Sequence, residues 1–476
     1  MIQRINKTRS IGDHGLPALL KHLNLQILPL LMFLGMVGCT DFVEVEPPKD
    51  TLVAETVFDE ASTVRSAMAN LFFGMREQGM VSGSFGLTTA LGIYADELDY
   101  YGFEVQNTEF YQHNLLAGNE LVRQWWANGY ELIYGANDII RGVEESQALS
   151  EDEKALFTGQ AVFVRSFIHS LLAQLFGDVP YITTVDYQAN NTVSRTPEAE
   201  VFQAIITDLE RSVALLEGME NPSSERTLPD HYAAKALLAR MYLYVEDWVN
   251  ADDMASELIG VFDLEGDLDK VFLKDSDETI WQLKPGEAPR NTQEANRLII
   301  QAVPGQTYAL TESFLDSFEE GDLREASWTE SISNADNTLT LFYAHKYKAD
   351  FSQTESVEYS IVLRLAEQYL IRAEARAQLG NLSGAASDLN VLRNRAGLPN
   401  IPIGTQGELL EAVLQERRME LFTERGHRWF DLKRFGEANA VLEGIKPGWQ
   451  DTDLLLPIPE TEIEINPNLL PQNAGY

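Results

Sequence analysis

The 476-residue chain contains a single cysteine, Cys39. That excludes an intrachain disulfide framework and any metal site built from several thiolates. Positive charge is also scarce: 36 Lys and Arg stand against 73 Asp and Glu, a formal net charge of −37. Such a polyanion is repelled by phosphate backbones, which excludes a general nucleic-acid role. Motifs that announce catalysis are missing as well. There is no HExxH, no GxSxG and no glycine-rich phosphate loop. Glycoside hydrolysis needs two carboxylates at a defined separation, and among so many acids nothing in the sequence singles out such a pair. The apolar stretch at 23–37, LNLQILPLLMFLGMV, is too short and too interrupted for an ordinary membrane-spanning helix.

What is present describes a folded, exported protein. A hydrophobic share of 45% with 23% charged residues is that of a globular chain, not a disordered one. Residues 1–38 read as a secretory signal, with Arg4, Lys7, Arg9 and Lys21 ahead of the apolar stretch. Met36-Val37-Gly38-Cys39 looks like the cleavage box of bacterial lipoproteins, which makes Cys39 the expected lipidation site and the membrane a partner through that lipid. Loss of the signal removes four basic residues and one Asp and deepens the net charge to −40. Residues 39–57, in which Cys39 is followed by TDFVEVEPPKD, read as the lipidated N-terminus and a tether to the globular body.

Over 58–259 apolar residues recur at helical spacing. Helices are predicted at 58–73, 121–144, 151–176, 198–216 and 229–244, with Ser150 and Glu153 forming a reciprocal cap on the third. His169 falls on the inner stripe and is expected to pack there. Small residues at the contacts and short connections predict antiparallel pairs of the tetratricopeptide kind. One such pair cannot bury its own apolar face, so neighbouring pairs must stack.

Residues 354–476 complete this helical scaffold and end in an extended, proline-rich tail. A helix is predicted over 361–379, where Val362, Ala366, Leu370, Ala373 and Ala377 make one stripe and the alanines admit a close neighbour. A second is predicted over 408–424, with Gly426 suited to its C-terminal cap. Glu416, Glu420 and Glu424 stand near Arg417 and Arg418 for intrahelical or interhelical ion pairs. Trp429, Phe430, Leu432 and Phe435 then anchor the next segment of chain onto the helical body.

Between these regions, 260–353 has weaker periodicity, more Gly, Pro, Asn and Asp, and short candidate strands at 278–284 and 340–350. The expected fold is therefore mainly α: a helical-repeat solenoid with a less regular mixed subdomain packed on it. Loops on a rigid scaffold favour ligand contact. The stretch IYADELDYYGFEVQ at 93–106 mixes aromatics with carboxylates, a pairing suited to stacking on a sugar face and hydrogen bonding its hydroxyls. Tyr100 and Tyr101 from this stretch, with Trp281 and Trp328 from the irregular region, are the candidate ligand contacts. Local packing of the rings is the competing reading.

Several segments together carry a family resemblance: FVRSFIHSLLAQLFGDVPY at 163–181, VLRLAEQYLIRAEA at 362–375, LNVLRNRAGL at 389–398, LQERRMELFTERGHRWFDLKRFG at 414–436 and LLPIPETEIEINPNLLPQNAGY at 455–476. In this order they resemble the SusD/RagB family of bacterial outer-membrane nutrient-binding lipoproteins. Ala474 stands where the family's ending usually has proline. The resemblance implies a lipid-anchored protein of the outer membrane, facing the cell exterior. It would capture a glycan or other oligomeric nutrient and deliver it to a SusC-like TonB-dependent transporter, with no cofactor, no metal and no turnover. A structural envelope lipoprotein and a secreted carbohydrate-active enzyme are the alternative classes.

Overall fold

In the computed structural model, which describes residues 57–77, 79–219, 224–286 and 291–476, the apolar stripes become helices. Cys39, the signal segment and the tether up to residue 56 lie outside the described residues. The N-terminal helices are α1 (Ala61–Glu77), α2 (Leu87–Tyr94), α3 (Val105–Gln112), α4 (Glu120–Glu145), α5 (Glu151–Phe176), α6 (Glu198–Leu216), α7 (His231–Tyr244) and α8 (Trp248–Ile259). The C-terminal set is α9 (Leu365–Gln378), α10 (Leu382–Arg395), α11 (Gln406–Leu421) and α12 (His427–Arg434). Short helical turns fill several connections.

α5 organises the first half. Ser150 and Glu153 cap its N-terminus reciprocally, as the sequence predicts, and every residue from Phe157 to Phe176 is buried. A helix apolar on all sides must be surrounded. It is long and apolar enough to cross a membrane, yet 89% of its most apolar stretch is enclosed by the protein. α4 and α6 cover it, α7 follows α6, and α8 follows α7. α8 then packs against α9, which meets α10 and α11. The series of neighbours is the expected stack of helices, entered from both ends of the chain. His169 lies within it, accepting from the Ile182 N–H at Nε2 (3.1 Å) while Nδ1 donates to the Arg165 carbonyl (2.9 Å).

The 260–364 excursion supplies most of the strands. β1 (Leu98–Tyr100) pairs antiparallel with β3 (Tyr308–Leu310), β2 (Thr279–Leu283) with β6 (Ser360–Arg364), and β4 (Thr329–Ser333) with β5 (Thr340–Ala344). The β2–β6 pair joins the beginning and end of the excursion, closing it as a long loop on the helices.

Three sequence expectations change here. Residues 361–364 are strand, and the helix begins only at Leu365. The run Ser360 to Arg364 is buried at every position, which a strand covered on both faces achieves and one stripe of a helix cannot. Gly426 does not cap the preceding helix, which ends at Leu421. It precedes α12 with φ 79°, and a Cβ there would lie 2.2 Å from Leu91 Cδ1.

The third concerns the ion pairs: of the two arrangements expected they take the one between elements rather than along one helix, and Arg417 and Arg418 meet other acids than the three glutamates. Arg417 donates to Asp431 of α12 (2.7 Å) and Arg418 to Asp96 (2.8 Å). Arg364 Nη1 donates to Glu420 Oε1 (2.6 Å) and Glu278 Oε1 (2.9 Å), and its Nε and Nη2 grip Glu424 at 2.9 and 2.8 Å. Arg324 reaches Glu416 (2.5 Å), Arg395 joins Glu278 to Glu420, and Lys346 meets Glu424 (2.7 Å). These side chains are almost wholly buried. Carboxylates on and just beyond α11 thus hold the 322–328 turn through Arg324, the β6–α9 junction through Arg364, the end of α10 through Arg395 and the segment after β5 through Lys346, while Glu278 ahead of β2 shares Arg364 and Arg395.

Candidate functional site

The acidic-aromatic stretch at 93–106 divides into a buried base and an exposed rim. At its base Asp96 is 3% exposed and accepts from Arg428 Nε (2.7 Å), Arg428 Nη2 (2.8 Å) and Arg418 (2.8 Å). Burial works to raise its carboxyl, but hydrogen bonding and charge from Arg428, with Arg418, leave it below the ordinary value. Glu97 beside it is pushed up to about 8, by burial first and by the Asp96 charge second, and accepts from the Thr423 N–H. Burial and charge thus drive the two neighbouring carboxyls apart, Asp96 down and Glu97 up. Asp96 fastens the stretch to α11 and α12, and Glu97 fastens it to the segment between them.

Above this base β1 runs beside β3. Leu98 is opposite Leu310 and Tyr100 opposite Tyr308, and the Tyr101 N–H continues the ladder to the Thr307 carbonyl (2.8 Å). The Tyr100 ring lies 5.6 Å from that of Tyr308, and its hydroxyl bonds the Glu104 carboxylate while accepting from the Glu104 N–H (3.0 Å). A Cβ on Gly102 would fall 2.4 Å from the Tyr100 hydroxyl, so this closure needs glycine. Burial, then the bond to Glu104, raises the Tyr100 hydroxyl to about 12; the same bond holds Glu104 below the usual carboxylate range. Tyr111 donates to Asp99 (2.9 Å).

The rim carries the rings. Tyr101 is 38% exposed and Phe103 96% exposed. Phe85, also exposed, has the Arg297 guanidinium 5.7 Å from its centroid, and Arg297 in turn acts electrostatically on both Glu104 and Tyr308. The result is a surface of accessible aromatic faces around one carboxylate and one guanidinium, held on a short β pair. Flat rings with polar neighbours suit the apolar faces and hydroxyls of a sugar. Among the described residues no group of three or more His, Cys, Asp or Glu is placed to hold a metal ion.

Of the four sequence candidates, Tyr100 and Tyr101 fall on this surface and the two tryptophans do not. Trp281 is fully buried in β2, edge-on to Phe163 (4.9 Å) and Phe167 (5.7 Å) of α5. Trp328 is fully buried as well, donating to the Leu268 carbonyl (2.9 Å) beneath Lys346 and Arg395. Both rings fill the seam between the excursion and the helices, because a large apolar ring gains more from that seam than from water. Phe103 belongs to the predicted stretch but not to the four candidates. Phe85 and Arg297 come from segments whose sequence offers no period that marks them.

Two family models match the chain: one described as the SusD family, over residues 303–476, and one described as starch-binding, associating with outer membrane, over residues 41–243. The chain belongs to the SusD/RagB family. SusD-like protein P2 of Formosa agariphila is 26% identical over 506 residues, spanning 94% of this chain and 98% of that relative. The solved structure of a SusD superfamily protein from Bacteroides vulgatus matches with a TM-score of 0.78 at 21% identity, covering 88% of this chain and 100% of that one. Surface glycan-binding protein A from Bacteroides fluxus matches with a TM-score of 0.72 at 22% identity, covering 87% and 99%. The mainly helical SusD-like fold is shared across these structures.

Proposed function

We propose that this SusD-like protein is a lipid-anchored, exterior-facing outer-membrane subunit that captures an oligo- or polysaccharide and passes it to a SusC-like TonB-dependent transporter. The observation that carries the reading is the rim at Tyr101 and Phe103: two accessible rings beside Glu104, on a β pair fixed from below by Asp96. Stacking and hydrogen bonding retain the glycan there, and no bond is broken. Family membership supports the outer-membrane role, and the name of the Bacteroides fluxus protein supports glycan as the ligand class. The lipoprotein-like box at Cys39 supports the anchor.

The test is affinity electrophoresis of the mature protein through gels containing soluble starch, laminarin or xylan. Retardation by at least one of them is expected, weakened about tenfold or more by the double variant Tyr101→Ala/Phe103→Ala. Unchanged retardation in that variant refutes the location. Absence of retardation by every glycan refutes the ligand class. Co-purification of a TonB-dependent transporter with the lipidated protein from membranes tests the delivery step.

A further inference from the structure

A second cleft, sharing no residue with the Tyr101–Phe103 rim, lies where α4, the 180–193 loop and the C-terminal tail meet. It encloses about 280 Å3. Trp126 and Tyr130 form its floor: Trp126 is buried edge-on against Phe176 (5.0 Å), and Tyr130 donates to the Pro180 carbonyl (2.9 Å). Two tyrosines stand at its mouth, Tyr134 at 45% and Tyr187 at 64% exposed. Rings so open gain little from packing against the protein.

The polar lining is equally suggestive. Among the described residues the Asn191 carboxamide has no side-chain hydrogen-bond partner, leaving its donors and acceptor free. The half-buried Glu462 faces the same space from the tail, and burial raises its carboxyl above the ordinary value. The walls are fixed in advance. Asn466 and Asn468 donate to the carbonyls of Val193 (2.8 Å) and Thr192 (2.7 Å), and Arg195 to that of Pro471 (2.7 Å). The Asp186 carboxylate accepts from the Gln188 and Ala189 N–H groups at 3.0 and 3.1 Å, holding the turn that presents Tyr187. Such preorganisation lowers the ordering cost of a ligand.

We infer that this cleft is a second glycan subsite that takes one uncharged pyranose ring between Tyr134 and Tyr187, with Asn191 and Glu462 as hydrogen-bond partners of its hydroxyls. The inference rests on the glycan-binding reading above. A volume near the lower end of the roughly 300–1,000 Å3 typical of small-molecule sites fits a single ring, with the rest of the chain outside. Glu462 and the protein's net charge of −37 disfavour uronate and sulfated sugars. Two subsites on one protein hold a long polymer more firmly than either alone, because the second contact becomes intramolecular.

Affinity electrophoresis in soluble starch, laminarin, xylan and alginate separates the outcomes, using Tyr187→Ala, Tyr101→Ala/Phe103→Ala and the combined triple variant. Tyr187 is solvent-facing, so its variant should melt like the parent. Support for the subsite is a threefold to tenfold weaker retardation by a neutral glycan for Tyr187→Ala, in about the range of one lost ring contact, with none left in the triple variant. If Tyr187→Ala binds as the parent does while Tyr101→Ala/Phe103→Ala loses binding, the subsite is overturned and the proposed function stands. If Tyr187→Ala instead loses only co-purification with the transporter, the cleft is a protein contact and the subsite is again overturned. Retardation by alginate alone overturns the assignment to an uncharged sugar. A parent protein retarded by none of the four overturns both readings.

Discussion

Replacing Arg364 by Met tests whether the buried ion cluster is the joint that holds the excursion to the helices. The aliphatic stem is largely preserved, so the change removes charge and hydrogen bonds more than volume. Arg364 is 2% exposed and also donates to the Glu420 carbonyl (2.7 Å). Without it Glu278, Glu420 and Glu424 are left to Arg395, Arg324 and Lys346. Breaking a buried ion pair by removing one partner costs about 3–5 kcal/mol, because the stranded charge stays buried. Burial alone would raise Glu424, but Arg364 and Lys346 hold it down to about 2; burial likewise opposes, and Arg395, Arg364 and Arg324 outweigh, at Glu420, which sits well below its ordinary value. Folded-state values below the unfolded one mean stability that is present above pH 4.5 and lost as pH falls toward 2. In Arg364→Met the charges of Arg395, Arg324 and Lys346 remain, so the depression shrinks and the folded carboxyls move back toward the unfolded value. Urea unfolding should therefore show a deficit of about 3–5 kcal/mol at pH 7 that narrows as pH falls from 4.5 toward 2, where the parent loses the stabilisation Arg364 gives these carboxylates. A deficit below about 1 kcal/mol at pH 7, or one that does not change with pH, would refute the reasoning.

Ala373→Leu should overpack the α9 face, since Ala373 is fully buried, and lower stability by about 1–3 kcal/mol in thermal melts; an unchanged midpoint would show that face to be slack. Trp281→Ala should cost about 3–5 kcal/mol in urea unfolding yet leave glycan retardation of the folded fraction unchanged, because the ring fills a seam and meets no solvent. His169 is neutral and pushed down to about 3 by burial, so its contribution is complete above pH 6.5 and is lost as pH falls toward 3, at about 1.4 kcal/mol per pH unit. His169→Gln should accordingly flatten the fall in urea midpoint between pH 6 and pH 4, and an identical slope would place the proton elsewhere.

Periodic elements were legible because burial writes its period into sequence. The Glu151–Phe176 and Glu198–Leu216 helices match their predicted spans, and Ser150 and Glu153 cap as spaced. The Ile361–Arg364 strand was masked by its neighbour: four apolar or long residues joined to an alanine-striped helix continue a helical pattern when read alone, and only pairing with β2 distinguishes them. Trp281 and Trp328 fail as ligand contacts for a related reason. Irregular backbone points to exposure when read from sequence, but their segments lie against helices, and composition cannot report which side of a loop faces water. Phe103 was readable in outline, a ring between Gly102 and Glu104 outside any stripe. Phe85, Tyr134 and Tyr187 were not, because each owes its exposure to what the rest of the chain leaves uncovered.

The sequence signature of the family and the candidate binding rim are thus two ends of one construction. Glu416, Glu420 and Glu424 on and just beyond α11 hold the excursion through Arg324, Arg364, Arg395 and Lys346, while Arg418 on α11 and Arg428 on α12 hold Asp96 at the foot of the rim. Asp96 lies five residues before Tyr101, and the β1–β3 ladder carries its position to the exposed rings. Charges buried in the frame are expensive to disturb, whereas the ring at Phe103 touches mainly water and can be exchanged at little cost to stability. A frame fixed by internal charge with rims free to vary is what a fold needs to present different ligand surfaces on one scaffold.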